Sequence, residues 1–384
     1  MQRSAAFLDL PRLSPGFVHG GAAVAETVAA LARADRLVAA SRYEEAVQTL
    51  GDVQVPALSA PDVAMRVLHC EAWARMYLGD LDTAVALCER ARDLAEGECF
   101  TSVDRAEALF RLAAVRLKMN KVGNAVSLLG EALRLSDGGS LAGDRVRARA
   151  FEWRARCYVI QRDWEAAQAD AESAVELADA LGDARLAGLA NMQCSVIAER
   201  RGDPRMARYY AEAARSLAVA SGDRQTEGRL LNNLGGLALL LGEPENAVAL
   251  IKEAFAVFLD LGADTDAAQA VSSLAQVHLR CGAPLLAEEQ ARHALSILGD
   301  REDFVDERGN AHLVLGRALH AQGRTDEAMT EFATAEWLFE RLGSESHVAA
   351  AWMAQGDLYE SLGDLEASST LFRRAAEALQ DFNF

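Results

Sequence analysis

The chain has 384 residues, of which 39 are Lys or Arg and 57 Asp or Glu, and its formal net charge of −18 opposes nonspecific binding to nucleic acid or anionic lipid. It is 51% apolar but only 6% aromatic, so its core is built mainly from Ala, Leu and Val. One globular core is unusual at this length, yet four of the seven prolines precede position 62, which leaves no Pro-rich linker to divide the remainder.

Residues 1–21 carry Phe7, Leu8, Leu10, Leu13 and Phe17 among Arg3, Arg12 and two prolines. No run there is long enough for the core of a signal peptide, and nothing later approaches a membrane span, so the chain is expected to be cytoplasmic. The apolar side chains of this segment are expected to cap the N-terminal end of the folded body.

From residue 22 a small residue returns about every forty positions: Ala46, Ala84, Ala125, Ala167, Ala207, Ala247, Ala287, Ala328 and Ser368. Twelve residues before each stands Ala34, Ala72, Ala113, Ala155, Ser195, Gly235, Ala275, Gly316 or Gly356. Seven after stands Ala91, Ala132, Ala174, Ala214, Ala254, Ala294, Ala335 or Ala375, with Val53 the exception. A period of this length means stacked repeats, here nine, each burying its face only against its neighbours.

Each copy reads as two helices. In the sixth, Leu230, Leu231, Leu234, Leu237 and Leu241 recur at helical spacing, as do Ala247, Leu250, Ile251, Ala254 and Phe258. Gly242 separates the two runs, and the equivalent positions hold Ser41, Gly79, Asn120, Arg162, Gly202, Gly282, Gly323 and Gly363, which suits a left-handed helix stop. Pro204, Pro244 and Pro284 mark the first turn of the second helix in three copies. Between copies, Asp183, Asp223 or Ser344 after a Gly can cap the next helix. The run Ser136-Asp137-Gly138-Gly139-Ser140 reads as a longer loop between copies, with a pivot there as the alternative. Small residues at the seam let two helices approach, and Leu50, Leu129, Ile251, Phe332 and Phe372 fill the space beside them.

These columns resemble the tetratricopeptide repeat, with the ninth copy (Trp352 to Gly356, Tyr359, Gly363-Asp364, Ser368, Phe372 to Ala375) and the fourth (Tyr158, Trp164) among the best matches. The length of about forty residues is similar to the long version found in kinesin light chains, peptide-binding adaptors and bacterial regulators of the Rap and LuxR-linked types. The resemblance implies an all-α, right-handed superhelical α-solenoid of about nine helix-turn-helix repeats spanning 22–380, with 1–21 as a capping segment and 381–384 as a tail. It implies recognition of another chain. A high content of Ala, Arg, Gly and Asp suggests a bacterial source from a GC-rich genome.

Signatures of catalysis are absent: no phosphate-binding Gly-rich loop with Lys-Ser/Thr, no dinucleotide fingerprint, no G-x-S-x-G and no H-E-x-x-H. His312 and His320 share a helix without acidic or Cys partners at ligand spacing, so no metal is expected. Six cysteines without a C-x-x-C pair read as buried thiols. No cofactor is expected.

In the resembled family the first helix of each copy lines the inner face. Its exposed positions here hold Arg66, Arg111, Lys118, Arg149, Arg156, Arg200, Arg229, Arg280 and Arg317 against Asp35, Glu107, Glu152, Glu199, Asp357 and Glu360. A basic lining inside an acidic chain has no packing cause. Copies five to seven add Gln193, Asn232, Asn233, Gln269, Ser272, Ser273 and Gln276, and Asn233 matches the Asn with which family members hold a peptide backbone. The family's short-peptide clamp of Lys, Asn, Asn, Lys and Arg is not reproduced. The expected function is a non-catalytic scaffold that holds an extended acidic peptide on Arg149, Arg156, Gln193, Arg200, Arg229, Asn232, Asn233, Gln276, Arg280 and Arg317. The alternative is a sensor that changes shape on binding a signalling peptide or small molecule. With Phe382 and Phe384 beyond the last helix, the C-terminal end is expected either to be sealed by the tail or to form a homodimer.

Overall fold

The computed structural model describes residues 22–39, 42–51, 53, 60–136, 139–299 and 304–380. The N-terminal segment 1–21, the tail 381–384, Ser41, and Asp137 with Gly138 of the Ser/Gly loop lie outside the described residues. Among the described residues the secondary structure is all helical, and consecutive helices pair as the repeat requires. The pairs are α1 (Ala22–Ala39) with α2 (Tyr43–Leu50), α3 (Pro61–Tyr77) with α4 (Leu81–Ala95), α5 (Ser102–Lys118) with α6 (Val122–Leu135), and α7 (Leu141–Ile160) with α8 (Trp164–Ala180). Next come α9 (Ala184–Arg200) and α10 (Pro204–Ser221), α11 (Arg224–Leu240) and α12 (Pro244–Leu261), α13 (Asp264–Arg280) and α14 (Pro284–Leu298), α15 (Val305–Ala321) and α16 (Thr325–Leu342), and α17 (Glu345–Ser361) and α18 (Leu365–Gln380). None is long and apolar enough to cross a membrane.

The chain divides into two compact units, Met1–Ile197 and Ala198–Phe384. In the N-terminal unit α3 packs on α4, α5 on α6 and α7 on α8, and the first helices also touch in succession, α1 with α3, α3 with α5 and α5 with α7. The same rule orders the C-terminal unit, where α11, α13, α15 and α17 succeed one another in contact, each packed on its own second helix. Each unit therefore presents a row of first helices as one face.

The seam explains the columns. Ala46, Ala84, Ala125, Ala167, Ala207, Ala247, Ala287 and Ala328 are all 0% exposed, so no larger side chain fits there without displacing the partner helix. Size is matched across the seam in three copies that carry Gly. Gly235 faces Ile251, Gly316 faces Phe332 and Gly356 faces Phe372, so close that an added Cβ would lie 2.4, 2.5 and 2.7 Å from those side chains. Where the first helix carries Ala, the residue four past the landmark ranges from Ala171 and Ala291 to Cys88, Leu50 and Leu129.

Helix ends obey the expected chemistry. Asn120 and Arg162 take φ 58° where six other copies place Gly, which shows that the turn demands the left-handed conformation whatever the residue. Asp183 and Asp223 cap the next helix through Leu186 N and Thr226 N, both at 3.1 Å. Ser344 departs from expectation: its hydroxyl meets His347 Nδ1 at 2.6 Å and makes no capping bond. Ser140 caps α7 through Gly143 N at 3.0 Å, and α7 packs on α6.

Candidate functional site

The two first-helix faces differ in what their charges do. On the N-terminal unit the acidic residues consume the basic ones. Arg111 donates to Glu107 at 2.7 Å, and Arg149 on α7, the first helix of the next copy, donates to the same carboxylate. Arg156 pairs with Glu152 at 2.5 Å, and Arg66 lies 3.5 Å from Asp35. Aromatic rings fill the space between. Arg111 stands over Trp73 at 5.4 Å, Arg149 over Phe110 at 4.9 Å, Arg156 over Trp153 at 4.9 Å and Lys118 over Tyr77 at 5.7 Å. Trp153 itself sits edge-on to Trp73 and to Phe110.

Burial and charge compete within this network. Burial pushes the Glu107 carboxyl up, but Arg149 and Arg111 together outweigh it and hold the group at about 2. Glu152 is equally buried and has a single guanidinium beside it, so there burial wins and its pKa rises. His69, 2% exposed, is driven down to about 3 by burial and by the nearby Arg111, and is neutral near pH 7. Gln193, the remaining candidate of this unit, is buried on α9. Arg149 and Gln193 are thus largely covered, and Arg156, whose side chain is 33% exposed, is held by Glu152.

The C-terminal unit keeps its face open. Asn233 on α11, Gln269, Gln276 and Arg280 on α13, and Arg317 on α15 are all exposed. Arg280 and Arg317 make no salt bridge among the described residues, and neither does the exposed Arg200 at the end of α9. Arg317 is reachable by solvent yet loses enough hydration to lower its pKa, with Asp357 on α17 opposing the shift. Arg229 is 55% exposed but already committed, its guanidinium forking onto Asp266 at 2.8 and 3.1 Å. Asn232 is half-buried, and its Oδ1 has no hydrogen-bond partner. On α17 the face turns acidic, with Asp357 and Glu360 exposed beside the exposed Met353.

Two features escaped the sequence reading. Asp266 lies in the first turn of α13, outside the six inner-face positions of its copy, although Gln225 and Arg229 both donate to it. Trp73, Phe110 and Trp153 stand at inner positions too, but a census of charged and amide residues passes over rings. Of the histidines, His312 bonds Glu331 at 2.6 Å, and among the described residues no three His, Cys, Asp or Glu side chains could hold a metal ion. Cys70, Cys88, Cys157 and Cys194 are buried as expected, whereas Cys99 and Cys281 are exposed.

Comparison with known proteins agrees with the repeat architecture. Tetratricopeptide-repeat family models match residues 289–337 and 349–378, so the repeats in those two segments are of the tetratricopeptide type. No curated protein sequence matches it. Among solved structures it is similar to a Rap protein complexed with competence and sporulation factor, at 14% identity and TM-score 0.63 over 93% of this chain and 98% of that one. It is similar also to the apo form of the quorum sensor NprR from B. thuringiensis, at 11% identity and TM-score 0.62, covering 93% and 97% of the two chains. A third is the Rap conjugation gene regulator of the plasmid pLS20 in complex with the Phr* peptide, at 14% identity and TM-score 0.58, covering 93% and 95%. At these identities the likeness is one of fold.

Proposed function

We propose that this protein is a non-catalytic peptide-binding adaptor whose C-terminal unit holds an extended acidic segment along the first-helix face. The observation that carries the reading is the open row of Asn233, Gln276, Arg280 and Arg317, cations and amides exposed in a chain of net charge −18. Arg280 and Arg317 supply charge-assisted bonds to carboxylates, and Asn233 and Gln276 pair with the N–H and C=O groups of an extended backbone. Arg200 and Asn232 extend the same set, while Arg229 would have to release Asp266 to join it.

The test is a double substitution, Arg280→Glu with Arg317→Glu, assayed against an acidic peptide selected on the unaltered protein. Loss of binding with an unchanged circular dichroism spectrum is expected, and retained affinity would remove the reading. A second reading, a peptide sensor that changes shape, is favoured by the similar solved structures, two of which are complexes with a signalling factor or peptide. It predicts that the radius of gyration in X-ray scattering shifts when ligand is added, whereas an adaptor with a fixed face predicts no shift.

A further inference from the structure

A cavity of about 450 Å³ opens between α12 and α14, with α13 as its floor. Ile251 and Phe255 of α12, Ala270, Val271 and Leu274 of α13 and Leu286 of α14 give it an apolar lining, and its volume is that of a site for a small molecule. Ala270, Leu274 and His278 recur every four residues, on the side of α13 turned away from Gln269, Gln276 and Arg280. The cavity is therefore a second surface, independent of peptide binding on the first-helix face.

The equivalent gaps in neighbouring copies are closed by polar bonds. Eight residues past the landmark, where Phe255 stands, copies five and eight carry Arg215 and Glu336. Arg215 donates to Glu253 on α12 at 2.8 Å, and Trp352 and Gln355 on α17 donate to Glu336 at 2.5 and 2.7 Å. Between α14 and α16, His312 in the place of Val271 meets Glu331 in the place of Gln290 at 2.6 Å. Around the cavity, Phe255, Val271 and Leu274 hold these positions and cannot make such bonds. Among the described residues the side chains of Lys252, His278, Glu289 and Gln290, which also line it, make no hydrogen bond or ion pair. The His293 ring stands edge-on to Phe255 at 5.7 Å.

The charges at the mouth select the ligand. Burial and the charge of Lys252 lower the pKa of His278 while the charge of Glu289 opposes them, so one positive and one negative group act on the same neutral imidazole. An anion drawn to Lys252 is repelled by Glu289, a cation meets the reverse, and an uncharged molecule leaves both groups without a partner. A dipolar ion satisfies both. We propose that the cavity between α12 and α14 binds a free α-amino acid with a large apolar side chain. Its carboxylate pairs with Lys252, its ammonium with Glu289, and its side chain lies on Ala270, Val271 and Leu274.

The experiment is calorimetric titration of the full-length chain at pH 7 with L-leucine, L-phenylalanine, glycine, leucinamide and 4-methylpentanoate. Leucine or phenylalanine should bind saturably and at least about tenfold more tightly than glycine, which has no side chain to bury. Leucinamide lacks the carboxylate and 4-methylpentanoate the ammonium, and each should bind about fivefold more weakly than leucine. Lys252 and Glu289 are exposed, so their replacement leaves the fold intact. Lys252→Gln should weaken leucine about fivefold and leave leucinamide within about twofold, and Glu289→Gln should do the same for leucine and 4-methylpentanoate. A preference for leucine identifies a site for branched side chains and a preference for phenylalanine one for aromatic side chains; both support the assignment. Absence of saturable binding by either amino acid, leucinamide or 4-methylpentanoate binding as tightly as leucine, or an unaltered leucine affinity in a folded Lys252→Gln protein would each overturn it.

Discussion

Adjacent glycines in α11 provide a sharp test of how the repeat is held together. An added methyl on Gly235 would lie 2.4 Å from Ile251 Cγ1, 3.0 Å from its Cδ1 and 3.1 Å from the Ala247 carbonyl, whereas one on Gly236 meets nothing within 4 Å. Both substitutions to Ala gain roughly 0.5–1 kcal/mol from helix propensity. For Gly236→Ala that gain is the whole effect, and the protein becomes more stable. For Gly235→Ala, overpacking costs roughly 1–3 kcal/mol, and the net change runs from about neutral to about 2.5 kcal/mol destabilising. The cause can be isolated by a double-mutant cycle with Ile251→Ala, which alone should cost about 2–5 kcal/mol through the cavity it leaves. In that background Gly235→Ala recreates the Ala–Ala pairing of Ala275 with Ala291, both 0% exposed, and should stabilise. The coupling energy is then roughly 1–3 kcal/mol, well above the additive limit. Urea midpoints at constant m-value measure all four proteins. The seam account fails if Gly235→Ala stabilises as much as Gly236→Ala, or if the coupling is below about 0.5 kcal/mol.

The same structure sets three further expectations. Ala287→Leu, at a fully buried seam position, should cost roughly 1–3 kcal/mol in denaturant unfolding. Arg162→Gly relieves a left-handed residue at φ 58° and should raise stability by about 0.5–1 kcal/mol in the same assay. His69 has a folded pKa of about 3 against an ordinary 6.5, so the unfolded chain binds the extra proton between those values. Its contribution is therefore complete above pH 6.5 and is lost as pH falls toward 3. At pH 4.5 the stability difference between the unaltered chain and His69→Gln should have shrunk, relative to pH 7.5, by roughly 2–3 kcal/mol, measured by urea unfolding at both pH values. A constant difference would contradict the assignment.

The architecture was legible because seam residues obey a steric rule that leaves one small residue per helix at fixed spacing. Ala247 and Gly235 declare the close approach of α11 and α12 without any help from the structure. Faces were legible for the same reason, since the offsets from each landmark select the row that contains Asn233, Gln276 and Arg280. Pairing was not. Glu107 and Arg149 stand at the same offset in successive copies, one repeat apart, and that coincidence is a signal for an ion pair that a sum of charges discards. Counting nine cations against six anions treats the lining as uniform, while the structure commits Arg111, Arg149 and Arg156 to ion pairs and leaves Arg280 and Arg317 without one among the described residues. Which acid takes which base depends on the rise between neighbouring first helices, a three-dimensional quantity that spacing alone does not contain. Asp266 makes the point again, because it reaches Arg229 and Gln225 from the adjacent helix.

The central claim is that the C-terminal unit binds acidic extended peptides through Arg280, Arg317 and their neighbouring amides. A random peptide library displayed on phage, selected on the full chain at low ionic strength, tests it most directly. The account predicts enrichment of sequences rich in Asp and Glu, affinities that fall as salt is raised, and loss of binding in the Arg280→Glu, Arg317→Glu protein. Enrichment of neutral or basic sequences, or acidic peptides that bind the double variant as tightly as the unaltered chain, would contradict it.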